Sequence, residues 1–159
     1  MPGRRRGLLK PPAVRSLTSD DRGELEQFPC RNFHEPWSDL VEELVQTLLA
    51  DEIEAGRIRS SGLWPDGEAL AAVIAWRPMD DAGDIHSIVL AVRNGHRRRG
   101  YGRILKAALV ETARATGARS ITSEVDYDNT PMIELNAAFN CTIVHSPDRR
   151  TCTCIIPIH

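Results

Sequence analysis

Ile88-Val89-Leu90-Ala91-Val92-Arg93-Asn94-Gly95-His96-Arg97-Arg98-Arg99-Gly100-Tyr101-Gly102-Arg103 passes from an unbroken apolar run into a basic loop with paired glycines. The wider stretch from Asp84 to Val92 is largely apolar and reads as a strand buried on both faces. The loop, Arg93 to Gly102, opens directly onto a helix that continues to about Thr116 and stops at Gly117. That helix is expected to bury Leu105, Ala108, Leu109 and Thr112. Glycine lets backbone come close to a ligand, and the first amides of a helix have no intrahelical acceptor. Those donors and the helix dipole form an anion site suited to phosphate. Arg97, Arg98, Arg99 and Arg103 add positive charge where further phosphates would lie.

Two familiar phosphate loops do not fit. A P-loop ends in Gly-Lys-Ser/Thr, whereas Gly102 is followed by Arg103-Ile104. A dinucleotide fold carries Gly-x-Gly-x-x-Gly in its first strand–helix turn, and the order of elements here is different. A nucleic-acid patch would want aromatic residues interleaved with the charge, and the loop has Tyr101 alone.

Upstream, Ala13 to Leu17 alternates briefly as a first strand, and Thr18 with Asp20 and Asp21 starts a short helix running to about Gln27. Phe28 to Pro36 is irregular. Ser38 then begins a longer helix with Leu40, Val41, Leu44, Val45, Leu48 and Leu49 on one stripe, ended by Gly56. Ile58 to Trp64 and Ala69 to Trp76 read as strands around the turn Pro65-Asp66-Gly67. Downstream, Ser120 to Tyr127 alternates as a strand. Pro131 suits the first turn of a helix behind Asn129-Thr130, and Asn140 suits its left-handed close. Cys141 to Ser146 and Thr151 to Ile158 are the last two strands. The expected fold is α/β: a mostly antiparallel mixed sheet of about six to seven strands with one parallel crossover and helices on both faces.

The chain has 159 residues, 42% apolar and 26% charged, the size and composition of one globular domain. Residues 1–12 read as a flexible basic leader and 13–159 as the domain. Twenty Lys and Arg against 22 Asp and Glu give a net charge of −2, which argues against a surface built for nucleic acid. No apolar run approaches the roughly 18 residues of a membrane span, and the N-terminal charges precede no signal-like core. No membrane partner is expected. Cys30, Cys141, Cys152 and Cys154 lack the spacing of a zinc site; Cys152 and Cys154 share one face of a strand as packed thiols, and no metal is expected. The expected compartment is cytoplasmic.

Arg97-Arg98-Arg99-Gly100-Tyr101-Gly102 is similar to the Arg/Gln-x-x-Gly-x-Gly/Ala signature of the Gcn5-related N-acetyltransferases (GNAT). The preceding Leu90-Ala91-Val92 suits that family's fourth strand. Asn129-Thr130-Pro131-Met132 with Leu135 to Cys141 resembles its Asn-x-x-(Ala/Met) and Leu-Gly-Phe region, with Phe139-Asn140-Cys141 in place of Leu-Gly-Phe. The resemblance covers about Ala69 to Ile158. It implies acetyl-CoA as co-substrate, with the amides across Arg98 to Gly102 around its pyrophosphate and Arg97 and Arg103 nearby. It implies that main-chain groups of Leu90, Ala91 and Val92 bind the pantetheine arm and that the amide of about Val92 polarises the thioester. Asn129 is implied near the pantetheine or thiol, with helix capping as the alternative.

The implied reaction is direct attack of a primary amine on the thioester in a ternary complex. A lysine-like ammonium, of pKa about 10.4, costs roughly 4–5 kcal/mol to deprotonate at neutral pH. The candidate catalytic residues are Glu124 and Asp126 on the fifth strand, His86 on the fourth, and Asn136. The last stands where many relatives have a tyrosine that protonates the departing thiolate, and an amide is a poor proton donor. A domain that binds acyl-CoA without turnover is therefore the alternative. The acceptor is expected to be a small-molecule or peptide amine, and the acidic residues Glu42, Glu43, Asp51, Glu52 and Glu54 either attract a cation or form a solvated face. The family's frequent dimerisation implies a homodimer, with Ile155, Ile156 and Ile158 either at its interface or in the core.

Overall fold

The structure, a computed structural model, describes residues 10–30 and 38–159. Most of the basic leader and most of the irregular segment after Phe28 lie outside these residues. Seven strands form one sheet in the order β1-β2-β3-β4-β5-β7-β6. They are β1 (Ala13–Ser16), β2 (Arg59–Trp64), β3 (Ala72–Arg77), β4 (Asp84–Val92), β5 (Ser120–Asp126), β6 (Thr142–His145) and β7 (Thr151–Pro157). Every neighbouring pair is antiparallel except β4 and β5. That parallel pair is joined by helix α4 (Tyr101–Thr116), the crossover that a buried strand, glycine loop and amphipathic helix predict.

One face of the sheet packs on α1 (Arg22–Glu26), α2 (Ser38–Glu43) and α3 (Leu49–Glu54), burying Leu25, Phe28, Val45 and Leu49 against Val73, Ala75, Val89 and Ala91. The other face packs on α4 through Leu105, Leu109 and Ala113 against Ile74, Ile85, Ile121 and Ile156. Helices therefore cover both faces. Thr18 caps the turn before α1 in a capping box with Asp21, as its residue type predicts.

Two expectations are corrected here. The single helix expected from Ser38 is interrupted by a π-helical stretch, Leu44–Leu48, in which the Leu49 amide reaches back to the Leu44 carbonyl. The extra residue in that turn rotates the apolar stripe, so Leu40 and Leu48 face solvent while Val45, Leu49 and Ala50 are buried. On α4, Ala108 and Thr112 are half-buried, and the inward face carries Lys106, Val110 and Ala113 with Leu105 and Leu109. β7 lies between β5 and β6, so Ile156 is core, and the sheet edge belongs to β6. Cys152 and Cys154 are buried free thiols, as their alternation predicts.

Candidate active site

β4 and β5 pair only from Asp84↔Ser120 to Ser87↔Ser123. Beyond that crotch the strands part, so the carboxyl-terminal half of β4 keeps β3 as its one strand neighbour. A bulge accompanies the parting: Val89 pairs with Ala75 and Ser87 with Trp76, leaving Ile88 as the additional residue on β4. Main-chain polar groups alternate along an antiparallel strand. The Arg93 amide donates to the Ala71 carbonyl beyond β3, so Leu90 and Val92 aim theirs into the gap. Ala91 aims its main chain at β3.

The mouth of the gap is the basic loop. Gly95, Arg98 and Gly100 all have positive φ, and Gly100, at +80°, immediately precedes α4. Arg98 adopts this conformation at φ +62° without the freedom of a glycine. Turns of this hand aim successive amides at a common point, the backbone concavity that holds anions. The first α4 amide with a helical-type acceptor is that of Ile104, which donates to the Gly100 carbonyl at 3.1 Å. The amides of Tyr101, Gly102 and Arg103 precede it and have no acceptor within the helix. A Cβ added at Gly95 or Gly100 would meet no atom within 4 Å, so both positions border open space. At Gly102 a Cβ would touch Leu90 and Leu135 at 3.5 Å, which brings β4, the start of α4 and α5 (Thr130–Ala137) together. Arg98, Arg99 and Arg103 are exposed, and Arg97 donates to Asn94 Oδ1 at 3.4 Å.

A cleft of about 490 Å³ opens at the crotch, lined by Arg77, His86, Ser87, Ile88, Thr122, Ser123, Glu124 and Thr153. His86 and Glu124, expected from sequence, share it. Asp126 and Asn136 do not line it. His86 is held at both nitrogens: Nε2 lies 3.0 Å from Asp80 Oδ2 and Nδ1 lies 2.8 Å from Thr122 Oγ1. The Asp84 amide and then His86 hold the Asp80 carboxyl below the usual carboxylate range. Asp80 and Thr122 were not singled out from sequence, because the β3–β4 turn and the β4–β5 register place them beside His86. Asp126, farther along β5, is pushed upward by burial and by Asp128. Asn136 is fully buried and donates Nδ2 to the Met132 carbonyl at 3.0 Å, while its Oδ1 has no partner among the described residues. Asn129 caps α5, accepting from the Met132 amide at 3.4 Å. Tyr127 is exposed, and Tyr101 packs partly against the α4-side core.

Four of the acidic residues named from the sequence, Glu42, Asp51, Glu52 and Glu54, already have partners. Glu42 accepts from the Cys30 amide, Asp51 and Glu54 pair with Arg22, and Glu52 pairs with Arg57. Glu43 is exposed. Among the described residues no cluster of His, Cys, Asp and Glu suits a metal ion. None of the described helices is long and apolar enough to cross a membrane.

The chain thus combines a parallel strand pair parted at its carboxyl ends, open amides along one strand, and a basic loop of left-handed residues at the mouth of the gap. A family model for the acetyltransferase (GNAT) family matches residues 22–139, and the chain belongs to that family. Its fold is similar to that of the paia N-acetyltransferase from Thermoplasma acidophilum in complex with coenzyme A. The two share 13% identity and a TM-score of 0.74 over 91% of this chain and 98% of that one. The ribosomal-protein-S18-alanine N-acetyltransferase from Escherichia coli is similar at 19% identity and a TM-score of 0.67, over 92% and 94% of the two chains. The yncA protein from Salmonella typhimurium, solved with acetyl-CoA, is similar at 12% identity and a TM-score of 0.63, over 92% of each chain. At such identities the likeness is one of fold. A search of curated proteins found no match.

Proposed function

We propose that the protein transfers an acetyl group from acetyl-CoA to an amine within a ternary complex. The observation that carries this reading is the opening of β4 from β5 at Ser87 and Ser123, which joins the amide concavity at one end to a polar cleft at the other. The residues fit the coenzyme. Amides of Gly100 to Arg103, with Arg97, Arg98, Arg99 and Arg103 around them, match a diphosphate, and the open main chain of Leu90 and Val92 matches an amide-bearing arm laid along β4. Leu90 lies two residues nearer the crotch than Val92, so we assign its amide to the thioester carbonyl and the Val92 amide to the arm. Bound in this way, the coenzyme supplies an activated acyl carbon.

On the acceptor side, Glu124 has no ion-pair partner among the described residues and faces the cleft, where it attracts an ammonium group. The proton lost by the attacking amine passes through Thr122 Oγ1 to His86 Nδ1. Asp80 holds the opposite edge of the ring, the arrangement by which a carboxylate orients an imidazole base. Asn129 keeps its Nδ2 for the pantetheine end while its Oδ1 caps α5.

Release of free thiol from acetyl-CoA, followed over a panel of small and peptide amines, tests the reading. At least one amine is expected to be acetylated. Glu124→Gln is expected to raise KM for it several-fold while leaving acetyl-CoA binding unchanged. The non-catalytic alternative draws on the burial of Asn136 where many relatives have tyrosine; tight coenzyme binding without thiol release from any amine would establish it instead.

A further inference from the structure

Lys106 lies on the inward face of α4 with 1% of its surface exposed, a position at which a lysine is seldom found unless it has a task. Its Nζ donates to Ser123 Oγ at 3.2 Å, and Ser123 is its one hydrogen-bond partner among the described residues. An ammonium carries three donors, so this one is under-satisfied. Ser123 is the last β5 residue paired to β4 and lines the cleft at the crotch. The lysine thus stands behind the hydroxyl at the innermost point of the gap. Because Ser123 Oγ accepts from Lys106, its own hydrogen remains available to a second acceptor.

We propose that Lys106, acting through the Ser123 hydroxyl, supplies the proton required by the departing coenzyme thiolate, a task that the amide of Asn136 does not serve. This rests on the acyltransferase reading. As the amine nitrogen bonds to the acyl carbon, the carbon–sulfur bond breaks and its electron pair leaves on sulfur. The Ser123 hydroxyl proton passes to sulfur, and a Lys106 proton passes to the Ser123 oxygen, leaving a neutral amine. The proton lost by the acceptor goes to His86, and both groups re-equilibrate with water before the next turnover. Ser123 is the catalytic residue in this scheme and Lys106 the positioning residue that feeds it.

The surroundings of Lys106 suit the task. Burial pushes its ammonium down to about 8, against the smaller opposing influence of the titratable groups facing it, Cys154 from β7 and Cys141 just before β6. A donor of that strength is matched to a thiolate, whose ordinary pKa is about 8.5.

The test needs no acceptor. CoA and desulfo-CoA, which lacks the thiol, are titrated into wild type, Lys106→Met and Ser123→Ala by calorimetry. Thiolate ultraviolet absorbance of each CoA complex is then followed against pH, with the desulfo-CoA complex as the baseline for the four protein thiols. In wild type the bound thiol is expected to ionise at least one pH unit lower than in Lys106→Met, with a tenfold or larger gain in CoA over desulfo-CoA affinity near pH 8 that both variants lose. A merely structural lysine would not move the coenzyme's titration. If both ligands bind and the thiol titrates alike in wild type and Lys106→Met, this inference is overturned and the acyltransferase reading stands. If neither ligand binds wild type, that reading falls and takes the inference with it.

Discussion

Replacing Lys106 by methionine is expected to stabilise the protein. Methionine has a similar length and volume and no polar head, so the packing against α4's neighbours is retained. In the folded chain the lysine titrates at about 8 and in the unfolded chain near 10.5, a separation worth about 3 kcal/mol at 1.36 kcal/mol per pH unit. Below about pH 8 both states carry the proton, and the folded state bears the full penalty of a dry ammonium. Between about 8 and 10.5 the unfolded chain binds more protons, so the penalty fades as pH rises. Loss of the hydrogen bond to Ser123 offsets about 1 kcal/mol, leaving a net gain of about 2 kcal/mol at pH 7. At a urea slope of roughly 1–3 kcal/mol/M, the midpoint should rise by about 1 M.

The comparison must be made as a difference between variant and wild type at each pH. Burial pushes the Cys154 and Cys30 thiols up to about 12 and 11, so these groups act oppositely above pH 9 in both proteins. Urea unfolding at pH 7, 8.5 and 10 therefore reads the gain directly: about 2 kcal/mol at pH 7, shrinking steadily toward pH 10. A Lys106→Met protein less stable than wild type at pH 7, or a gain that does not change with pH, would refute the claim that the buried charge is costly. A charge retained at such cost is the expected signature of a group kept for chemistry.

Three further outcomes are expected. Asp21 is held below the usual carboxylate range chiefly by the Arg15 guanidinium; its contribution is present above about pH 4 and is lost as acid protonates the folded chain, so Asp21→Asn should cost about 1–2 kcal/mol at pH 7 and flatten acid unfolding followed by circular dichroism. Gly62→Ala places a Cβ 2.7 Å from Trp64 Cη2 and 2.8 Å from Leu70 Cδ1, and thermal unfolding should show a loss of about 1–3 kcal/mol. Gly100→Ala meets open space but must hold φ near +80°, a strain of about 1–2 kcal/mol that calorimetry should register as weaker CoA binding.

Much of the fold was legible because local signals agreed with one another. The β4 boundaries follow from the apolar run between Gly83 and Arg93, α4 ends where Gly117 adopts a left-handed turn, and Asn140 closes the segment after α5 with φ +59°. The position of the glycine loop between β4 and α4 was legible for the same reason, and Gly95 and Gly100 there take the positive φ that glycine permits. Other features depend on register that a single chain does not display. The π-helical stretch at Leu44–Leu48 inserts one residue into an otherwise regular stripe, and the bulge at Ile88 falls at the start of the apolar run Ile88 to Val92, where no alternation marks it. Lys106 falls at an unremarkable helical position beside Leu105, and its burial becomes apparent only when β5 and β7 are in place. Asp80 meets His86 through a turn and Thr122 meets it through a parallel pairing 36 residues away in sequence. Similarly, the acidic look of α2 and α3 ignored Arg22 and Arg57, which pair with Asp51, Glu54 and Glu52.

The central claim, that the gap between β4 and β5 receives a coenzyme whose diphosphate sits on the loop before α4, is tested most directly by backbone amide NMR during a CoA titration. Large shifts are predicted at Leu90, Val92 and Gly100 to Arg103, saturating together with a single affinity. A titration in which those amides stay fixed, with binding absent or confined to another face of the sheet, would contradict it.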